Sequence, residues 1–405
     1  MGALSTAGTM LRRIHVQNFK SIADLTMEPG RVNVLIGENG CGKSNFLEAL
    51  AFASAAEADK LDNEFLASRG VRVTAPEFMR SAFPNSPTEQ LVFDVTLDDG
   101  YRVEFKMSSK QDSHYPHWRV RSDHNRGAPS TRALQEVTPT DIDTLINLVK
   151  NTHSEDAHAL DSEEFKKSIH RALANLKLIA AQDYAPQFAT FLIYSPENSA
   201  LRTFVQEGQI LPLGVKGEGL FKLLRFLSTD EERWEELKSN LKMIDWFRDL
   251  KIAPEQAPFD QTLQIHDRFL AKDFEHFDQR SANEGFLFLL FYISLMISPD
   301  TPSIFAIDNI DASLNPKTAT ALTSRLAMLA KKYNKQIFLT THSPAVLDGL
   351  DLTDPEHRLF VFQRNRKGET RCRRVEAPQP VAGETPVKLS EAFLRGLIGG
   401  LPQNF

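Results

Sequence analysis

Gly37-Glu38-Asn39-Gly40-Cys41-Gly42-Lys43-Ser44 is the stretch that decides how this 405-residue chain is read. Its spacing is that of a phosphate loop, G-x-x-x-x-G-K-[ST]. A β-rich apolar run, Arg31–Ile36, precedes it, and a helical stretch through Ala56 follows, with Phe46, Leu47 and Leu50 at helical spacing. Glycines let backbone N–H groups turn toward phosphate oxygens, and a helix N-terminus favours the anion. Lys43 then reaches the β- and γ-phosphates, and Ser44 offers a hydroxyl to Mg²⁺. The nucleotide-binding set is Gly37, Asn39, Gly40, Cys41, Gly42, Lys43 and Ser44, with the adjoining Asn45. ATP and Mg²⁺ are the expected ligands.

Working outward, Ile14 and Val16 alternate with His15 and Gln17 as in a strand. Leu91–Thr96 and Tyr101–Phe105 read as a hairpin around Asp98-Asp99-Gly100. Residues 109–131 are polar and loop-like, 138–183 helical and charged, and 203–252 mostly helical. After Arg280 the pattern changes. Gly285–Ile297 reads as a buried helix, Ser303–Ile307 as a buried strand and Thr318–Lys332 as an amphipathic helix. Gln336–Thr340 and Arg358–Gln363 read as further strands, and Leu389–Ile398 as a short helix. Such alternation argues for a parallel α/β sheet. The expected organisation is one discontinuous α/β domain, 10–110 and 265–380, with a β-rich N-terminal portion. An inserted, mainly helical lobe would occupy 111–264, and a helical tail 381–405.

The segments after Arg280 supply the partners that a phosphate loop needs. Ser303–Asp308 is an apolar strand ending in a carboxylate, and Asp308 there would hold Mg²⁺ directly or through water. Gln336–Ser343 is a second buried strand ending in a histidine. Its place one strand and one helix beyond Asp308 puts His342 near the γ-phosphate or the attacking water.

Composition sets bounds. Net charge is −6, which lends no support to a nucleic-acid partner, although DNA binding is not excluded. The two cysteines, Cys41 and Cys372, do not suggest a disulfide framework, and a reducing compartment fits. Met1–Met10 does not read as a signal peptide. The longest apolar run, Gly285–Ile297, is short of the roughly 20 residues of a membrane helix. A cytoplasmic protein without a membrane partner is the expectation. Arginines at 119, 121, 126 and 132, and the basic run of Arg364, Arg366, Lys367, Arg371, Arg373 and Arg374, are candidate contacts for phosphate or a partner.

Together these residues resemble the ABC ATPase class, in the branch of RecF, SMC-type and OLD-type proteins. Asn18-Phe19-Lys20-Ser21 looks like that branch's opening motif, and the resemblance implies that Lys20 and Ser21 lie near the nucleotide. Asp311–Pro316 resembles the D-loop, and His342 stands at the switch-histidine position. Ser281–Gly285 resembles the signature segment, with Asn283 where serine is usual and Gly285 kept. The resemblance implies an ABC-type P-loop fold and a homodimer, or larger assembly, that sandwiches ATP between phosphate loop and signature in trans. It covers about Met10–Ala56 and Arg280–Gln363.

One departure bears on chemistry. The branch usually ends the metal-side strand in Asp-Glu, the Glu activating water, whereas this chain has Asp308-Asn309. Asparagine accepts no proton at neutral pH, so general-base help, typically worth roughly 10²–10⁴-fold, is missing. Slow hydrolysis is expected, with Asn309, His342 and Asp311 as the groups beside the reacting phosphate, Asp311 acting through water. The Q-loop glutamine has only Gln90 as a candidate, and Arg12 and Arg13 are either base contacts or solvated surface.

About 60 residues follow His342, too few for the Toprim nuclease domain of OLD-type proteins by normal domain size. Lys388–Gly400 looks like the end of stand-alone ATPases in bacterial anti-phage systems, such as retron- and Septu-like modules. The resemblance implies a sensor-scaffold ATPase controlling a separate effector, a nuclease or toxin. The alternatives are a RecF-like repair ATPase that clamps DNA, and a slow nucleotide-binding structural protein.

Overall fold

The computed structural model describes residues 10–83, 90–109, 118–126, 187–203, 213–253, 262–271, 274, 276–377 and 387–401. The chain runs β1 (Leu11–Phe19), β2 (Ile22–Met27), β3 (Val32–Ile36), α1 (Lys43–Glu57), α2 (Asn63–Ser68) and α3 (Pro76–Met79). Then come β4 (Leu91–Leu97), β5 (Tyr101–Ser109), β6 (Trp118–Arg126), β7 (Ile193–Tyr194), α4 (Asn198–Thr203), α5 (Leu220–Leu227) and α6 (Glu231–Leu241). A hairpin follows, β8 (Phe247–Ile252) with β9 (Leu263–Asp267). The last stretch is α7 (Glu284–Ile297), β10 (Ile304–Ile307), α8 (Pro316–Lys332), β11 (Gln336–Thr340), α9 (Pro344–Leu347), β12 (His357–Arg364), β13 (Thr370–Val375) and α10 (Leu389–Leu394).

Two sheets enclose the phosphate-loop helix. The first is antiparallel in the order β2-β1-β4-β5-β6, and the second runs β13-β12-β3-β11-β10-β7. In the second, β12, β3, β11, β10 and β7 are parallel and β13 is an antiparallel edge. Successive side chains on a strand face opposite ways, so both faces of this sheet must be apolar. Leu35, Ile304, Ala306, Phe338, Phe360 and Phe362 join one core with α1 and the first sheet. Their alternating neighbours Val34, Ile36, Phe305, Ile307, Ile337, Leu339 and Val361 join the other, with α5 to α8. This is the α/β, ABC-type P-loop architecture.

Caps explain where the helices near the site begin. The Asn283 side chain accepts from the Phe286 N–H at 2.8 Å and starts α7. Asn315 accepts from Thr318 N–H at 2.9 Å, with Pro316 at the first helical position of α8. No helix among the described residues is long and apolar enough to cross a membrane.

Two local readings change. The stretch 109–131 contains a strand, β6, paired to β5 from Tyr101↔Arg126 to Ser109↔Trp118. It lies at the sheet's edge, and its exposed Arg119 and Arg121–Asn125 remove the apolar alternation that marks a strand. Within 203–252, Phe247 and Leu250 belong to β8, not to a helix. A register shift between Phe247 and Asp249 turns both apolar side chains inward, so a bulge imitates helical spacing. The helices expected over 138–183, and Arg132, lie outside the described residues.

Candidate nucleotide site

The phosphate loop joins β3 to α1 at the carboxyl ends of the parallel strands. Gly37 and Gly42 are required by space as well as by their positive φ of 145° and 110°. A Cβ on Gly37 would stand 2.3 Å from the Phe362 carbonyl oxygen, and one on Gly42 would stand 2.1 Å from Thr370 Oγ1. Gly40, at φ 76°, has nothing within 4 Å of that position, which leaves its face of the loop open. Thr370 braces the loop from β13: its hydroxyl donates to the Cys41 carbonyl at 2.9 Å and lies 2.8 Å from Ser21 Oγ.

Lys43 is 6% exposed and lies back over its own loop, donating to the carbonyls of Gly37 (2.8 Å) and Glu38 (3.2 Å). Burial pushes its ammonium below the usual lysine range, while Cys41, Asp308 and Asp311 pull it up. An ammonium held by the neutral carbonyls of Gly37 and Glu38 and the Cys41 sulfur (3.9 Å) is ready to exchange them for phosphate oxygens, a stronger charge-assisted contact.

Asp308 sits at the end of β10. Ser44 Oγ donates to its Oδ2 at 3.3 Å, and Thr340 Oγ1 donates to its Oδ1. A serine hydroxyl facing a carboxylate is an oxygen donor set that suits Mg²⁺. Thr340, completely buried at the end of β11, also accepts from the Asn309 N–H at 2.8 Å. One residue on, Thr341 donates to Asp311 Oδ1 at 2.5 Å. Asn309 itself is exposed, in left-handed backbone at φ 55°, a conformation asparagine tolerates better than most residues. His342 is exposed next to them. Desolvation first, and the Lys43 charge second, lower its pKa against the opposing pull of Asp311 and Asp308, so the imidazole is neutral at pH 7.

On the other side of the loop a buried carboxylate organises the cations. Glu48, on α1, is 2% exposed and binds Lys20 Nζ and Arg72 Nε (2.5 Å). Burial lowers the Lys20 pKa, with Glu48 opposing. Arg72 also donates to Asn45 Oδ1 at 3.1 Å, and Asn45 donates to Ser21 Oγ at 2.6 Å. Lys20, Ser21, Asn45, Arg72, Arg80 and Arg364 face a cleft of about 500 Å³ beside the loop, which is nucleoside-sized and cationic.

Residues 32–348 match the family described as "AAA domain, putative AbiEii toxin, Type IV TA system". The chain belongs to that family. As a member of it, this AAA-domain protein is a nucleotide-dependent ATPase. No curated protein sequence matches it. Its fold is similar to that of the Smc head bound to the C-winged helix domain of ScpA. There the TM-score is 0.50 and the identity 14%, over 90% of this chain and 98% of that one. Two further heads align less well. The Smc head with an extended coiled coil from Pyrococcus furiosus has a TM-score of 0.47 and 13% identity, over 91% and 96% of the two chains. The SMC head from Thermotoga maritima has 0.43 and 14%, over 91% and 99%.

The ATPase places the remaining sequence candidates elsewhere. Asn283 and Gly285 lie at the start of α7, where the Asn283 side chain serves as the helix cap. No hydrogen bond among the described residues joins them to the phosphate loop. A Cβ on Gly285 would stand 3.0 Å from the Ser313 carbonyl oxygen, and Ser313 bonds Glu284, so the start of α7 and the Asp311–Pro316 segment pack together. Arg13 pairs with Asp94 at 3.1 Å and Arg12 with Asp98 at 3.9 Å, both on the first sheet. The carbonyl of Gln90 accepts from Asn18. Sequence reasoning passed over Thr340, Thr341, Glu48, Arg72 and Thr370. Thr340 and Thr341 stood in the quoted strand end just before His342, so their position was the available signal.

Proposed function

We propose that this ATPase is a slow, ATP-operated switch. Two copies close over ATP and the closed dimer controls a separate effector, a nuclease or toxin, in bacterial anti-phage defence. The observation that carries the slow switch is Asn309: beside the Ser44–Asp308 pair, where a general base would stand, there is an amide. Asp311, the next carboxylate after Asn309 along the chain, is engaged by Thr341.

Ser44 and Asp308 are the residues that would hold Mg²⁺, which would supply positive charge beside the nucleotide's phosphates. Lys43 leaves the carbonyls of Gly37 and Glu38 for phosphate oxygens. Thr340 keeps Asp308 oriented, and neutral His342 can orient water or donate to a phosphate oxygen. With no strong base, ATP persists and so does the closed state. A family description that names a toxin system supports an effector partner. So does the Smc head, a protein of similar fold seen with a partner domain.

Turnover of wild type against Asn309→Glu tests the slow clock. The expected result is a rise of about a hundredfold or more in the variant, with an ATP-dependent wild-type dimer in sedimentation. Equal, brisk rates in both would contradict it. Exposed Arg119 and Arg121 on the edge strand β6 favour the second reading, a RecF-like DNA clamp. A salt-sensitive DNA shift with DNA-stimulated turnover would select that reading.

A further inference from the structure

The carboxyl-terminal segment touches both sides of the nucleotide site. At its start Ser390 donates to the Asp348 carboxylate twice, from its N–H at 2.9 Å and its hydroxyl at 2.7 Å. Asp348 is the C-cap of α9, the single turn that leaves His342 through Ser343. Ser343 N–H in turn donates at 2.9 Å to Thr341 Oγ1, the hydroxyl that holds Asp311. A short, hydrogen-bonded run therefore connects Ser390 to the His342 segment and Asp311.

At its far end the same segment reaches the phosphate loop. A Cβ on Gly400 would stand 3.6 Å from Gly37 Cα, 3.5 Å from Val361 Cγ1 and 3.2 Å from the Phe393 ring. Gly37 is thus enclosed between the Phe362 carbonyl and Gly400. The path between the two ends is fixed. Ala392, Phe393 and Ile398 are buried in the core that contains Val361 and Leu347, and Arg373 donates to the Ile398 carbonyl at 2.8 Å.

We propose that residues 388–401 form a strap that sets the phosphate loop and the His342 segment relative to each other, with Asp348 and Gly400 as its positioning residues. The strap rests on the ATP-site reading above and adds a division of labour. The Asp348 clasp governs the reacting side, and Gly400 governs how the loop accepts phosphate. Displacing catalytic groups by a fraction of an ångström to an ångström costs tenfold or more in rate, so a backing that contacts no substrate can still control turnover.

The test uses the full chain and measures Mg·ATP affinity with a fluorescent ATP analogue, single-turnover hydrolysis and melting temperature. Asp348→Ala is expected to slow turnover about tenfold while changing affinity less than about twofold, and Asp348→Asn, which keeps an acceptor for the Ser390 N–H, restores most of the rate. Gly400→Val is expected to weaken affinity about tenfold. Gly396→Val is the control: it puts the same side chain at another positive-φ glycine, φ 73°, where a Cβ has nothing within 4 Å, and it is expected to change neither quantity. The strap is overturned if Gly400→Val and Gly396→Val alter affinity alike, or if Asp348→Ala moves only the melting temperature. In either case wild type still binds ATP, whereas failure of the site reading removes binding from wild type itself.

Discussion

Thr340 links Asp308 to the turn that carries Asn309. Its hydroxyl donates to Asp308 and accepts from the Asn309 N–H, so a single buried group orients the carboxylate and fixes the left-handed turn after it. Thr340→Val keeps the shape and removes both bonds. Leaving the Asn309 N–H without its partner costs about 1–3 kcal/mol. Denaturant unfolding is expected to show that loss, and Mg²⁺-dependent ATP affinity is expected to fall about tenfold. Unchanged stability and affinity would show that Thr340 is only a strand residue. Lys43, Ser44 and Asp308 were legible in the sequence because phosphate and metal chemistry demand those residue types at those spacings. Thr340 was not, because its role comes from register: Ile307 pairs with Leu339, which sets the following Asp308 and Thr340 side by side. Glu48 was hidden for a similar reason. A glutamate on a helix reads as solvated until Lys20 and Arg72 arrive from other elements.

At the scale of elements, α7 illustrates how a helix buried on all sides ends safely. Lys335, at the approach to β11, donates to the carbonyls of Leu295 (2.7 Å) and Ser298 (2.9 Å) and to Thr301 Oγ1 (2.5 Å). Cations at a helix C-terminus answer its unpaired carbonyls and its negative dipole end. Burial nonetheless pushes this ammonium down to about 7 from 10.5. The unfolded chain therefore holds more protons than the folded one between those values, and stability rises with pH across the window. Urea unfolding from pH 7 to 9 is expected to show that rise in wild type and its absence in Lys335→Met; the same slope in both would contradict it. The α7, β10 and β11 elements were readable because long apolar runs with clear stops permit few alternatives. Strands β6 and β8 were not, because an exposed edge and a bulge each erase the period by which strands are recognised.

Taken as a whole, the molecule holds its phosphate-loop helix between two sheets, so α1 cannot shift without disturbing a core that both sheets share. The contact of Gly285 with Ser313, the His342 segment and residues 388–401 lie outside that core, and there the proposed nucleotide-driven change would act. The central claim is simpler than any of these. ATP is held by Lys43 against the open face of the loop, with Ser44 and Asp308 on the metal side. Equilibrium binding of labelled ATP with Mg²⁺ to wild type and Lys43→Ala tests it most directly. Wild type is expected to bind saturably, and the variant to lose at least about tenfold in affinity. Absence of binding to wild type, or equal affinity in the two proteins, would contradict it.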